Sequence, residues 1–331
     1  MENTLLEARN LSVTLIKKNT TIPIVQNVSF ELSLGKTLAI VGESGSGKTT
    51  LAHSLLRLFP PSAHYVIDGV ITYDQKNLVT LSQKKLESIR GSEIAMIFQD
   101  PAASLNPVFS IGRQVCEMFE VHHNAFFKEA EEKTIEILEK VGLPRAKNCF
   151  KTYPHEISGG MKQRVLIAMA VCLKPKILIA DEPTAALDRT VQKGILELLR
   201  SLQKEYGLSL ILITHDMDVM SEMADDVAVM YAGRIVEYAT CKELLTSPAH
   251  PYTQALIAAR PQKHLRKKML PVISGIAPTP EARPSGCPFH PRCPFVMPHC
   301  KTGTVPTFQK DDSRQIADCW LYDTREFWRR K

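Results

Sequence analysis

The sequence predicts an α/β fold, a mainly parallel sheet with crossover helices into which a helical block is inserted. Three observations predict it. Short runs rich in Val, Ile and Leu recur at 38–41, 94–98, 177–180 and 208–214. Helical patterns lie between them, as at 49–58, where Leu51, Leu55, Leu56 and Leu58 follow helical spacing, and at 191–205. From Ile111 to about Cys172 the pattern is helical, with amphipathic stretches such as 129–141.

In chain order, strand-like runs at 5–15 and 24–34 end in Gly35-Lys36, and another strand follows at 70–73. Near residue 260 the composition shifts. Prolines from Pro261 to Pro298 make a regular helix or central strand unfavourable there, and 262–268 reads as a linker. The expected division is a core over 1–258, its helical block at about 108–173, and a small extension over 259–331.

At 331 residues, 44% hydrophobic and 23% charged, the chain has the composition of a globular protein of about two domains. The longest uninterrupted apolar run, 165–173, falls far short of the ~20 residues that cross a bilayer. Met1-Glu2-Asn3-Thr4 lacks a signal-peptide start, so the expectation is a cytosolic chain that meets a membrane through partners. Of the net +6, residues 259–331 carry 14 Lys/Arg against 6 Asp/Glu, or +8, leaving −2 for the rest. Such a tail suits either anionic lipid or nucleic acid, or is a solvated surface.

Gly42-Glu43-Ser44-Gly45-Ser46-Gly47-Lys48-Thr49 matches G-x-x-x-x-G-K-[ST], with an apolar strand before it and a helix after it. Its glycines let backbone N–H groups curl around phosphate oxygens, and the helix aims its positive end at them. Lys48 is placed for the β- and γ-phosphates, Thr49 for Mg²⁺, and Thr50 beside it for the same nucleotide. The chain is expected to bind a nucleoside triphosphate.

Asp181 and Glu182 end the apolar run 177–180, a position where Asp181 can join the Mg²⁺ shell and Glu182 can activate a water. His215 ends the run 211–214, and Gln99 ends 94–98, where its amide can meet Mg²⁺ or the attacking water. Ser158-Gly159-Gly160 opens a helix and forms a second anion site. One nucleotide cannot engage both sites of one protomer across a helical block. A head-to-tail dimer resolves this, each phosphate loop facing the partner's Ser-Gly-Gly.

These residues resemble the ATP-binding cassette (ABC) family over essentially the whole chain. The phosphate loop is similar to its Walker A, Gln99 to its Q-loop and Ser158-Gly159-Gly160 to its signature. Asp181 and Glu182 resemble its Walker B and catalytic glutamate, Ala186-Leu187-Asp188 its D-loop, and His215 its switch histidine. The resemblance implies a phosphate-loop core, an antiparallel β subdomain and an inserted helical subdomain. It also implies ATP as substrate and Mg²⁺ as cofactor. The chain departs from the usual Leu-Ser-Gly-Gly-Gln at Ile157 and Met161, and Leu15 stands about where an aromatic often stacks on adenine. Apolar packing from Leu15 or Ile24 would be a weaker substitute.

Three segments resemble the oligopeptide/dipeptide importer ATPases. They are Phe98-Gln99-Asp100-Pro101 with Ser104-Leu105-Asn106-Pro107, Ser158-Gly159-Gly160-Met161 with Gln163-Arg164-Val165, and His250-Pro251-Tyr252-Thr253-Gln254-Ala255-Leu256. This implies a peripheral ATPase on the cytoplasmic face of the membrane, paired with an identical or paralogous cassette. Two permease subunits would carry peptides or nickel-type complexes, supplied by an extracytoplasmic binding protein. The competing reading is a soluble ABC ATPase acting on nucleic acid or ribosomes. Such proteins usually fuse two cassettes or insert a long coiled coil, and this chain has neither. No nucleic-acid partner is therefore expected.

Cys116, Cys149, Cys172 and Cys241 are scattered in apolar or helical patterns, where buried inert thiols are expected. Cys287, Cys293, Cys300 and Cys319 crowd the tail, and four thiolates suit a [4Fe–4S] cluster or Zn²⁺. Their spacing lacks the C-x2-C pairs of zinc ribbons, and the resemblance implies a cluster. Zinc and bare thiols stay open, with His290 and His299 as substitute ligands or solvated side chains.

Overall fold

The structure, a computed structural model, describes residues 4–18, 20–123, 125–260, 273–310 and 313–323. The linker read at 262–268 lies outside them. The chain divides into two compact units, Met1–Thr80 with Ile213–Lys331, and Leu81–Leu212.

The first unit begins with β1 (Thr4–Lys17) and β2 (Thr20–Ser33), a long antiparallel hairpin pairing Ala8 with Phe30 and Leu15 with Ile22. Then come β3 (Thr37–Val41), α1 (Lys48–Leu55), β4 (His64–Tyr73) and the short β5 (Lys76–Asn77). The order β2-β1-β4-β5 makes an antiparallel sheet. Its inner face is built from Leu6, Ala8, Leu11, Val13, Val25 and Val28, all buried, as strand alternation requires. Irregular pairing between Ala8 and Leu11 re-phases β1, so that Leu11 and Val13 stay inward.

The second unit holds α2 (Gln83–Ile89), β6 (Ile94–Ile97), α3 (Pro101–Ser104), α4 (Ile111–His123), α5 (Phe127–Lys140) and α6 (Ala146–Cys149). After these come α7 (Gly159–Val171), β7 (Ile177–Asp181), α8 (Arg189–Tyr206) and β8 (Ser209–Thr214), whose last two residues are counted with the first unit, with strand order β8-β7-β6. β6 and β7 are parallel, Ile94 opposite Ile177 and Ile97 opposite Ala180. Every residue of β7 is buried, which is why it reads as a continuous apolar run. The inserted helices are one-faced: Val115 and Phe119 of α4 and Ile137 and Leu138 of α5 are buried. Between α4 and α5, the buried Cys116 Sγ lies 3.3 Å from Thr134 Oγ1.

The chain completes the first unit with α9 (Met217–Met223), β9 (Asp226–Tyr231), β10 (Arg234–Thr240), α10 (Cys241–Thr246) and α11 (Pro251–Ala258). Two short strands follow, β11 (Thr307–Gln309) and β12 (Ile316–Asp318). The order β11-β12-β10-β9-β3 is parallel only at β3–β9. The proline-rich tail thus supplies short edge strands, the place where a sheet tolerates such chain. Its Cys287, Phe289, Met297, Cys300 and Val305 join one core with Val229, Tyr231, Val236, Leu244 and Tyr252. Burying a side chain such as Phe289 contributes about 1.5–3 kcal/mol.

Candidate functional site

In the first unit the phosphate loop leaves β3 pressed against β9. A Cβ added at Gly42 would stand 2.1 Å from the carbonyl oxygen of Met230, so only glycine fits. Gly47, in the left-handed region at φ 99°, is the N-cap of α1 and turns the chain into the helix. The loop is closed by Ser46 N–H donating to Glu43 O (3.2 Å) and Gly233 N–H donating to Ser46 O (2.8 Å). Lys48 is buried, and its Nζ donates to the carbonyl oxygens of Gly42 (2.8 Å) and Glu43 (2.9 Å). Ser46 Oγ is buried without a hydrogen-bond partner, an acceptor and donor available to a phosphate. Ser44, Gly45 and Thr49 are exposed, and Thr50 is half-buried. His215, also of this unit, is exposed just past β8.

In the second unit Asp181 is 1% exposed at the end of β7. Glu182 follows in the left-handed region at φ 47°, an uncommon conformation for a glutamate, and turns its half-buried side chain off the strand. Gln99 Nε2 lies 3.5 Å from Glu182 Oε2, which brings together two of the residues singled out from sequence. Ser158 is the N-cap of α7, its Oγ accepting from Met161 N–H at 3.3 Å. Ser158 and Gly159 are exposed, leaving the first N–H groups of a 13-residue helix open to an anion. Gly160 has a packing reason too, since a Cβ there would meet Val191 Cγ1 at 2.7 Å. Asp188 caps α8, accepting from Thr190 and Val191 N–H at 3.0 Å each.

Sequence reasoning missed how Glu43 is held. Tyr252, in the His-Pro-Tyr segment, is fully buried, and its hydroxyl accepts from Glu43 N–H at 2.8 Å. Arg292, between two tail cysteines, forks its guanidinium onto the Glu43 carboxylate at 2.6 and 3.0 Å. That hydrogen bond raises the Arg292 pKa above its ordinary value. Two signals point this way: a phenol in a buried segment needs a polar partner, and a lone arginine among Pro, Phe and Cys needs an acid. The buried Glu237 was also missed. It accepts from Ala249 N–H, His250 N–H and Gln315 Nε2, each at 2.8 Å, and so fixes the start of α11.

The scattered Cys116, Cys149, Cys172 and Cys241 are buried, and burial pushes the Cys172 thiol up to about 12. Cys287, Cys293, Cys300 and Cys319 do line one cavity, with Phe289, Phe295, Met297, Val305 and Trp320 around them, but its volume is about 10 Å³. Burial pushes Cys287 up to about 11 and Cys319 up to about 12, toward the thiol rather than the thiolate. No group of three or more His, Cys, Asp or Glu among the described residues is arranged to share a metal ion. The four-thiolate ligand set expected from sequence is gathered into one pocket, but its side chains are not arranged as a [4Fe–4S] or Zn²⁺ site. His290 Nδ1 lies 2.9 Å from the Cys287 carbonyl oxygen.

Residues 25–185 match the family model described as ABC transporter, and residues 236–300 the one described as oligopeptide/dipeptide transporter, C-terminal region. The chain is 44% identical over 321 residues to the oligopeptide transport ATP-binding protein AppD of Bacillus subtilis (strain 168), covering 97% of this chain and 98% of that protein. It is 43% identical to the dipeptide transport ATP-binding protein DppD of the same organism, covering 97% and 95%. Among solved structures, a dimeric post-hydrolysis state of the ATP-binding cassette MJ0796 bound to ADP and Pi is similar at TM-score 0.63 and 26% identity, covering 71% of this chain and 98% of that one. CbiO1 from Clostridium perfringens, part of an ABC transporter complex, is similar at TM-score 0.62 and 30% identity, covering 74% and 92%.

Proposed function

The chain belongs to the ABC transporter family, in its oligopeptide/dipeptide branch, and from that premise we propose that it is the ATP-hydrolysing subunit of a membrane importer for di- and oligopeptides or nickel-type complexes. The observation that carries the hydrolytic part is Glu182, turned off the end of a buried strand with Gln99 at 3.5 Å. No helix among the described residues is long and apolar enough to cross a membrane, so transport would need permease subunits as partners. The chain would then work at the cytoplasmic face of the membrane, with an extracytoplasmic binding protein supplying the cargo.

ATP would bind the phosphate loop, drawing Lys48 from the Gly42 and Glu43 carbonyls toward the β- and γ-phosphates. The start of α7, with Ser158 and Gly159 exposed and Gly160 half-buried behind them, would cap the ATP held by a partner cassette, in a head-to-tail dimer. Glu182 would take a proton from the attacking water, Gln99 orienting both, and His215 would contact the γ-phosphate. Mg²⁺ would neutralise charge on the β- and γ-oxygens when bound. Thr49, Gln99 and Asp181 would hold it, since a hydroxyl, an amide oxygen and a carboxylate are the hard donors this ion takes. The tail cysteines enter no step of this scheme. Their reading as a [4Fe–4S] or zinc site rests on residue type and a shared pocket, and assay of iron, sulfide and zinc in anaerobically purified protein decides it.

The test is uptake in vesicles containing this chain and its co-purifying membrane subunits, with short peptides and nickel chelates as cargo. ATP-dependent accumulation supports the reading. Its absence across all cargoes, together with salt-sensitive binding to nucleic acid, would favour the soluble alternative instead.

A further inference from the structure

We infer that Arg292 is a positioning residue for ATP binding, a clamp by which the cysteine-rich tail holds the opening of the phosphate loop in its nucleotide-binding form. The inference deepens the ATP-site reading above and rests on it. It begins with how completely the guanidinium is used. Nε donates to Ser274 O at 3.0 Å, and Nη1 donates to Glu43 Oε2 at 2.6 Å and Tyr231 Oη at 3.3 Å. Nη2 donates to Glu43 Oε1 at 3.0 Å and Ile273 O at 3.3 Å. All five N–H donors of the side chain are thereby engaged, and a lysine, with three donors on one atom, cannot reproduce the pattern.

The Arg292 side chain is 5% exposed and that of Glu43 28%, so the pair is partly shielded from water and salt. The other partners of Arg292 are the carbonyl oxygens of Ser274 and Ile273 and the hydroxyl of the buried Tyr231, so the Glu43 carboxylate is the acidic group it holds. Glu43 is held at three points. Arg292 holds the carboxylate, Tyr252 Oη accepts its N–H at 2.8 Å, and Lys48 Nζ donates to its carbonyl oxygen at 2.9 Å. Lys48 must leave that carbonyl when phosphate arrives, and Arg292 and Tyr252 then keep the loop from collapsing or following it. The residue that positions the loop lies 249 positions away in sequence, beside Cys293, so the fold of the cysteine segment and the affinity for ATP are linked.

The intact chain is tested by equilibrium binding of trinitrophenyl-ATP, competed with ATP, well below the unfolding temperature. Arg292→Ala and Glu43→Gln should each raise the Kd for ATP at least about tenfold. The double variant should be no weaker than the weaker single, because both remove one interaction. Arg292→Lys should lie between. An unchanged Kd in Arg292→Ala, or effects that multiply in the double variant, overturns the clamp. A residue that merely stabilised the tail would lower the melting temperature and leave Kd unmoved. If Arg292→Ala does not fold, amide exchange decides. ATP should slow exchange across 287–293 in the wild type and not in Glu43→Gln, and equal slowing in both overturns the inference. A chain that shows the coupling but hydrolyses no ATP supports the clamp while sinking the hydrolytic reading. A hydrolysing chain indifferent to Arg292→Ala does the reverse.

Discussion

Glu182 and Gly42, one from each compact unit, show how differently single residues can matter to the proposed ATPase. Glu182 spends a left-handed backbone conformation to leave β7, a cost of order 1–3 kcal/mol that is tolerated where chemistry needs it. Replacing it with Gln keeps the shape and the contact with Gln99 Nε2 but removes the base. ATP turnover should fall by about 10²–10⁴ while ATP binding persists, read by comparing steady-state phosphate release with equilibrium binding. Turnover within a factor of a few of wild type would reject Glu182 as the base. Gly42 carries no chemistry, yet a methyl there must occupy space 2.1 Å from a backbone oxygen of β9. Backbone cannot rotate aside as a side chain can. Gly42→Ala should therefore abolish ATP binding, and binding within tenfold of wild type would show that β9 yields.

At the scale of elements, α11 illustrates what was legible in the sequence and what was not. The loop, strand-end carboxylates and Ser-capped helix were legible because each is a local signal: an apolar run, then a polar or glycine residue that ends it. The inserted helices followed from helical spacing, whereas the antiparallel sheet came only with the family resemblance. The His-Pro-Tyr segment was legible only as a motif, because its function depends on contacts over 200 residues away, such as Tyr252 to Glu43. The four tail cysteines were legible as a cluster in sequence, but spacing says nothing of how side chains are aimed, and among the described residues they line one pocket without being arranged to share a metal ion.

His250 is the N-cap of this helix, its Nδ1 accepting Tyr252 N–H at 3.0 Å, and burial lowers its pKa to about 3. In the unfolded chain a histidine binds its proton near pH 6.5, whereas the folded chain refuses it until about 3. Between those values the unfolded state binds more protons, so stability falls as pH falls, by up to about 1.4 kcal/mol per unit. His250→Asn keeps an acceptor for Tyr252 N–H and does not titrate. From pH 6.5 to 5 the wild type should lose about 2 kcal/mol more unfolding free energy than the variant, measured in urea. Parallel pH profiles for the two would mean the imidazole titrates freely.

At the scale of the whole molecule, the tail's composition suggests an appendage, while its described contacts place it in the first unit's own core. β12 pairs with β10, pairing Glu237 with Ala317 and Tyr238 with Ile316. Gln315 binds the buried Glu237 carboxylate, and Phe289 lies against Tyr231 and Tyr252 with ring centroids 5.3 and 5.4 Å apart. Removing the chain after Arg260 would uncover Tyr252, Tyr231, Val236 and the β10 edge together. It would also strip Glu237 of one of its partners and Glu43 of its guanidinium. An exposed apolar patch with a free strand edge is an aggregation surface, and a buried carboxylate that loses a donor is destabilising by about 1–3 kcal/mol. The truncated chain should therefore be poorly soluble, bind a hydrophobic dye and fail to bind ATP, even though its phosphate loop, Asp181, Glu182 and Ser158 are all present in sequence. Soluble truncated protein with wild-type ATP affinity would show instead that the nucleotide site is built without the tail.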